Sequence, residues 1–428
     1  MMNDKFFSLD KNFKIKLKLF IIGIFLIFLD SFSIFNIPFP WIGLMLCTAT
    51  CLQKKIMSHT KLFWSLIILI ILLILITFVT LENNKAPLNF IVLRILNIIS
   101  FGIIVNYFAL QDYHDENRLK MENYLIILGL FFSIISILGF ILNAHNLQDL
   151  NIIDQLRNRP TTGKGDQYLN KFSFAFDSDI HKYDRAIGTF REPSFLMNAL
   201  ILPFFLSIKN RKYFISITIG ICVYLTYSLA IFFALLFSLI FSFIIIYRNK
   251  LFIKKFILFY FLIIFLCIVF LIADFNFSNL YFQRLNNFNA SNNRLYIYEN
   301  LDIILGNFYF GNGIGYGFFS LGEHMALMGQ IQSGPGQEII PVSFLSLPLN
   351  MLSSGGIICL LIIVIWIFYH NLLILVNFLN FNLNLYLLIV PLNIFLLLYF
   401  SSLEELHIWH AIGLGLLLSY LGSYKKVN

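Results

Sequence analysis

The sequence predicts an all-α polytopic membrane protein, and two observations support that fold class. The 428 residues are 59% hydrophobic and only 12% charged, with a mean hydropathy of +0.82. A soluble domain needs a charged exterior, which so few charged residues cannot provide. Long apolar runs also recur along the whole chain, on the scale that a helix needs to cross a hydrocarbon layer of about 30 Å. We therefore expect residues 1–428 to form a single integral membrane domain.

Hydropathy places about twelve transmembrane helices along the chain. They cover roughly residues 17–35, 38–52, 61–80, 89–110, 124–143, 191–208, 213–227, 229–247, 256–273, 342–368, 385–400 and 407–422. Two long segments, 144–190 and 274–340, separate some of them, and the other connections are short. No small-residue cleavage site follows the first span, so we expect a signal anchor there.

The distribution of basic residues predicts that both termini are cytoplasmic. With alternating spans, the predicted inside segments hold 19 of the 30 Lys and Arg residues, the outside segments hold 10, and Arg94 lies within a span. This bias follows the positive-inside rule. It also explains the net charge of +8 without nucleic acid as a partner, because most lysines flank helix ends. Both long segments, 144–190 and 274–340, then face the outside.

Arginine is concentrated on the predicted outer side, whereas lysine dominates inside. Six of the ten arginines lie there, at positions 157, 159, 185, 191, 284 and 294. Topology requires only positive charge, whereas arginine adds bidentate recognition of phosphate and carboxylate. We interpret the excess as an anion site; the alternative is chance plus ion pairs with the aspartates of 144–190. Arg94, an intramembrane charge, is a further functional candidate.

Three polar segments of this outer side carry candidate functional residues. The first, "DRAIGTFREPSFLMNAL" (Asp184–Leu200), places two arginines and a glutamate where a span begins. The second, Asn292–Phe319, combines an amphipathic pattern with the run "GNGIGYG", which predicts a tight, close-packed turn. The third, "SLGEHMALMGQ", places Glu323 beside His324 before the tenth span. No P-loop, dinucleotide fingerprint or metal signature accompanies them, so we expect neither a nucleotide nor a metal cofactor.

These segments resemble the O-antigen polymerase and O-antigen ligase superfamily. The pattern R-x-x-G-x-F-x-x-P runs from Arg185 through Gly188 to Pro193, and "NNR" precedes "FGNGIG" by about 17 residues, as in that family's large periplasmic loop. "SFLSLPLNMLSSGGIICLL" (Ser343–Leu361) is similar to the helix after that loop. "YLTYSLAIFFALL" is similar to the tight hairpin of the seventh and eighth spans, although Leu229 replaces its usual arginine or glycine. The resemblance covers roughly residues 180–370.

The resemblance implies a GT-C-like glycosyltransferase in the bacterial inner membrane. Its substrate would be an undecaprenyl-diphosphate-linked oligosaccharide at the periplasmic face, with a flippase and a chain-length regulator as partners. The lipid diphosphate is already activated, so no cofactor is needed. The residues expected to bind the diphosphate are Arg185, Arg191, Arg294, Arg284 and Arg94. The candidates for the base are His324, Glu192 and Glu323, and those for supporting roles are Tyr298, Gly188 and Pro193.

Within the superfamily, the sequence favours a polymerase over a ligase. Ligases usually carry a histidine–asparagine pair before the helix that follows the large loop, where this chain has "IIPVSFL" (Ile339–Leu345). An O-antigen ligase and a flippase for the same lipid remain as alternatives. Long polar outer loops and the scarcity of charges within the spans are evidence against a flippase, which has to pass a diphosphate through the membrane midplane.

Overall fold

The computed structural model describes residues 3–35, 37–52, 61–110, 116–145, 156, 186–190, 193–226, 302–303, 306–327, 349–362 and 408–425. Their helices are α1 Asn3–Phe28, α2 Phe39–Cys51, α3 Lys61–Val79, α4 Leu88–Leu110, α5 Glu116–Ala144, α6 Pro193–Lys209, α7 Tyr213–Leu225, α8 Tyr316–Leu327, α9 Leu349–Ile362 and α10 Ile408–Lys425. The described chain is therefore mostly helical, in agreement with the all-α class. A short 3-10 helix, Leu81–Asn83, follows α3, and an antiparallel ribbon of β1 Ser33–Ile34 and β2 Ile37–Pro38 joins α1 to α2.

Helices occupy the positions of the predicted spans wherever the structure describes them. Spans 229–247, 256–273 and 385–400 lie outside the described residues. The predicted span 17–35 differs from α1, which begins in the lysine-rich start and ends at Phe28 because the ribbon follows it. Within the described ranges, Leu88–Leu110 and Arg118–Asn143 are long and apolar enough to span a membrane.

The ends of α1 and α7 meet the start of α6 at one end of the bundle. The backbone amide of Ala186 donates a hydrogen bond to the carbonyl of Leu225, with the nitrogen and oxygen 2.8 Å apart. The amide of Ser31 donates to the carbonyl of Thr189 at 2.9 Å. We call the end of the helix bundle where these two hydrogen bonds lie the upper end.

The opposite, lower end contains a buried cluster of charged side chains. Arg118, fully buried at the start of α5, lies 3.3 Å from the carboxylate of Glu122 and donates to Ser419 of α10 at 2.6 Å. Lys209, the last residue of α6, donates to both oxygens of Glu122, at 2.7 and 3.0 Å. Because both cations share the Glu122 carboxylate, the cluster joins three helices through one buried anion.

The contacts that α10 makes along its length establish that α4 begins at the upper end of the bundle. Trp409, near the start of α10, packs its ring 4.7 Å from that of Phe28 at the end of α1. Six residues further on, a side chain at Gly415 would meet Phe108 near the end of α4, and Ser419 reaches Arg118 at the lower end. Helix α4 therefore ends at the lower end. The connection between α3 and α4 consequently lies at the upper end.

An aromatic core lies directly beneath the turn at 186–190. Phe28 stacks on Phe132 of α5, with ring centroids 4.4 Å apart. Phe190 and Trp409 pack against the same Phe28 ring at 5.8 and 4.7 Å. These contacts connect the turn to α1, α5 and α10.

Candidate active site

Gly188 has a backbone conformation and a space that only glycine fits. Its φ is +58°, in the left-handed region, and a Cβ there would lie 2.0 Å from Oγ of Ser136 on α5. Directly after it, Thr189 donates its hydroxyl to the carbonyl of Phe28, and Phe190 is buried. Pro193 begins α6, where the missing amide proton costs little. Residues 186–190 of the R-x-x-G-x-F-x-x-P pattern thus form a well-packed turn, and the proline of the pattern begins the next helix.

Six of the predicted site residues lie outside the described residues. They are Arg185, Glu192, Arg191, Arg284, Arg294 and Tyr298. Arg185 directly precedes the described turn in sequence and Arg191 directly follows it.

Replacing Gly188 with alanine should destabilise the folded protein by about 2–4 kcal/mol, because left-handed strain adds to an overlap with Ser136. Thermal unfolding of the purified protein in detergent measures the effect. The double variant Gly188→Ala/Ser136→Gly should recover part of the loss, since it removes the overlapping atoms and retains the strain. An unchanged unfolding temperature in Gly188→Ala would contradict the turn described here.

The predicted glycine turn is confirmed as a closely packed segment. Gly311, Gly313 and Gly315 have φ values of +72°, +84° and +88°. A Cβ at Gly311 would lie 2.5 Å from the backbone nitrogen of Gly356 in α9, and one at Gly313 would lie 2.7 Å from Oγ1 of Thr80. Glycine at these positions lets the segment approach both the α3 end and α9.

Residues 308–315, which we call the glycine segment, also supply hydrogen-bond partners to α9. Gly356 has a φ of +67° within that helix, and the carbonyls of Ser353 and Ser354 accept hydrogen bonds from the amides of Asn312 and Gly313, both at 2.9 Å. The amide of Ile357 donates to the carbonyl of Phe308 at 3.0 Å. Around Gly356, three backbone groups of α9 are thus paired with residues 308–313.

The α3–α4 connection holds the other side of the same segment. Asn84 donates its side-chain amide to the carbonyl of Ile314, and the amide of Ile314 donates to the Thr77 hydroxyl, both at 3.0 Å. These bonds fix the point at which α8 begins. Helix α8 carries the predicted residues Glu323 and His324.

Arg94 lies between α4 and α8. Its guanidinium carbon is 4.7 Å from the ring centroid of Phe90 on α4 and 5.8 Å from that of Phe318 on α8. Phe90 also contacts Phe319 edge-on, with centroids 5.0 Å apart. Half-buried Arg94 therefore lies at the upper end, where its aromatic neighbours stabilise the cation and join the two helices.

Lys85 is a site residue that the sequence analysis did not find. Its ammonium forms an ion pair with the carboxylate of Glu323, and the two side chains are 41% and 39% exposed. The two residues are 238 positions apart, so no local pattern could have paired them. His324, the next residue of α8, is half-buried.

The α3–α4 connection, α4 and α8 therefore bring two cations, a carboxylate and an imidazole to the upper end. Arg94 can attract an anion, whereas the charge of Lys85 is balanced by Glu323, and the imidazole of His324 is a candidate proton acceptor. Within the described ranges no group of three or more histidine, cysteine, aspartate or glutamate side chains could hold a metal ion.

Comparison of the chain with protein-family models, curated proteins and solved structures found no match.

Proposed function

We propose that this protein is an inner-membrane glycosyltransferase that joins undecaprenyl-diphosphate-linked oligosaccharide repeat units at the periplasmic face. In this proposal the upper end is the periplasmic end and both termini are cytoplasmic. The substrate's lipid lies in the bilayer, and its charged head lies against the upper end of the helices.

The observation that best supports this proposal is the turn at Ala186–Phe190. Its glycine and its phenylalanine each have a packing role and the proline at 193 begins α6, so this part of the pattern corresponds to a defined turn. The turn is joined by three hydrogen bonds to Phe28, Ser31 and Leu225 and by the ring contact of Phe190 with Phe28, so it is also a rigid support for the arginines next to it in sequence. Arg94 adds positive charge at the same end.

The proposed reaction is the transfer of one glycosyl chain to a sugar hydroxyl. The acceptor hydroxyl attacks the anomeric carbon of the donor, a glycosidic C–O bond forms, and the bond from that carbon to the diphosphate oxygen breaks. The electron pair stays on the departing undecaprenyl diphosphate, whose increasing negative charge preorganised arginines stabilise. The hydroxyl proton passes to a base, for which we propose His324.

Deletion of the gene should leave single repeat units on the cell surface and remove the ladder of longer glycans. Surface and lipid-linked glycans are separated by size in the deletion strain and in a strain that carries the wild-type gene again. Long chains that accumulate on undecaprenyl diphosphate would instead indicate a ligase. Repeat units trapped on the cytoplasmic side would indicate a flippase, and either outcome would refute the polymerase.

A further inference from the structure

We propose that Glu323 is a positioning residue, held by Lys85, and not the base that accepts the proton of the acceptor hydroxyl. The proposal rests on the function proposed above. It assigns a role to Lys85, a residue outside the family patterns, and it reduces the described candidates for the base to His324.

The contacts of α8 divide its length into two parts. Its first turn is fixed by the glycine segment and by Phe318 and Phe319 against Phe90. Glu323 lies just before its last turn and contacts Lys85 in the connection between α3 and α4. The ion pair therefore joins the end of α8 to the same connection that holds its beginning.

Helix geometry links this ion pair to the direction of His324. Consecutive side chains on an α-helix point about 100° apart, because one turn contains 3.6 residues. A Glu323 side chain held toward Lys85 thus sets the direction in which His324 projects. A base must come within about 3 Å of the proton that it accepts. If Glu323 accepted a proton, its carboxyl would become neutral and would lose the ionic attraction to Lys85 that holds this part of α8.

A positioning role and a general-base role for Glu323 predict losses of polymer formation of different sizes. Loss of a half-exposed ion pair should lower polymer formation only about fivefold, whereas loss of a general base should lower it about a hundredfold or more. We therefore expect Lys85→Ala, Glu323→Ala and the double alanine variant to show similar, about fivefold losses, since all three remove one contact. His324→Ala should show the larger loss.

The charge-swapped variant Lys85→Glu/Glu323→Lys best distinguishes a positioning contact from a catalytic role of Glu323. It restores an ion pair between the two positions and removes the carboxylate from position 323. Each single charge reversal should lower polymer formation about tenfold, and the double swap should return it to within about twofold of wild type. Glu82→Ala, which removes an exposed carboxylate in the same α3–α4 connection, is the matched control and should behave as wild type. An inactive double swap, or a hundredfold loss in Glu323→Ala alone, would overturn the proposal. Full activity in both single alanine variants would overturn it as well.

A measurement that does not depend on activity separates this proposal from the proposed function. Leu327, the exposed last residue of α8, is replaced by cysteine and labelled with a nitroxide, and label mobility is read by electron paramagnetic resonance. The four described cysteines are buried, and the parent protein without the new cysteine gives the background signal. Mobility should increase in Lys85→Ala and return to the starting value in the charge swap. Unchanged mobility in Lys85→Ala would refute the positioning contact, whereas a wild-type protein that forms no polymer would refute only the function.

Discussion

Alanine at Arg185, Arg191 or Arg294 is expected to lower polymer formation by about a hundredfold or more while the protein is still produced at its normal level. Each arginine is proposed to stabilise charge that develops on the leaving diphosphate, and removal of one such donor typically costs this much in rate. Lysine at the same positions should restore only part of the activity, because it keeps the charge and lacks the planar fork. The glycan ladder in complemented deletion strains gives the measurement, and immunoblots of membranes give the protein level.

Arg211→Ala is the matched control for these variants. Arg211 is exposed in the connection between α6 and α7 at the lower end, so its loss should leave the ladder unchanged. Normal ladders in all three variants at the upper end would refute the diphosphate site. Loss of the protein from membranes would indicate instead that these arginines stabilise the fold.

Replacing Glu122 with alanine should destabilise the protein by about 3–5 kcal/mol, because it leaves two cations without their shared carboxylate in a buried site. Arg118 is fully buried, and both oxygens of Glu122 contact Lys209. Thermal unfolding in detergent measures the change. The triple variant Arg118→Met/Glu122→Leu/Lys209→Met should recover most of the stability, since apolar side chains of similar volume remove the charges together.

The same unfolding measurement on Glu82→Ala shows what removal of a carboxylate does at an exposed position. We expect no measurable change there. A Glu122→Ala protein that unfolds at the wild-type temperature would show that the cluster does not stabilise the lower end.

The helices and the glycine turn could be predicted from sequence because their signals are local. Apolar runs of helical length marked α3, α4 and α5, and the glycines of the 311–317 run permit the left-handed backbone that Gly311, Gly313 and Gly315 adopt. The segment around Gly188 was likewise expected to lead into a span, and a helix begins there at Pro193. In these cases the residues that make the structure are neighbours in the chain.

The side-chain clusters could not be predicted, because their members are far apart in sequence. Arg118 and Ser419 are separated by 301 positions, and Glu122 and Lys209 by 87. In the sequence, Arg118 and Lys209 look like the basic residues at span ends that set topology. That interpretation does not indicate which of these residues become buried. Only the spacing of Arg118 and Glu122, four residues apart on one helix, was a signal that could have been used.

The break in α9 has a consequence for how the protein is made. Peptide groups that face hydrocarbon must find partners within the protein, and three of those in α9 find theirs in residues 308–313. Ribosomes complete that segment about 40 residues before they reach Gly356, and α3, which holds its other side, is synthesised earlier still. In the proposed membrane setting, the partners of α9 therefore already exist when this helix reaches the translocon. A chain rearranged so that α9 emerged before residues 308–313 would have to insert a helix with unpaired amide and carbonyl groups, so biosynthesis itself favours the present order of segments.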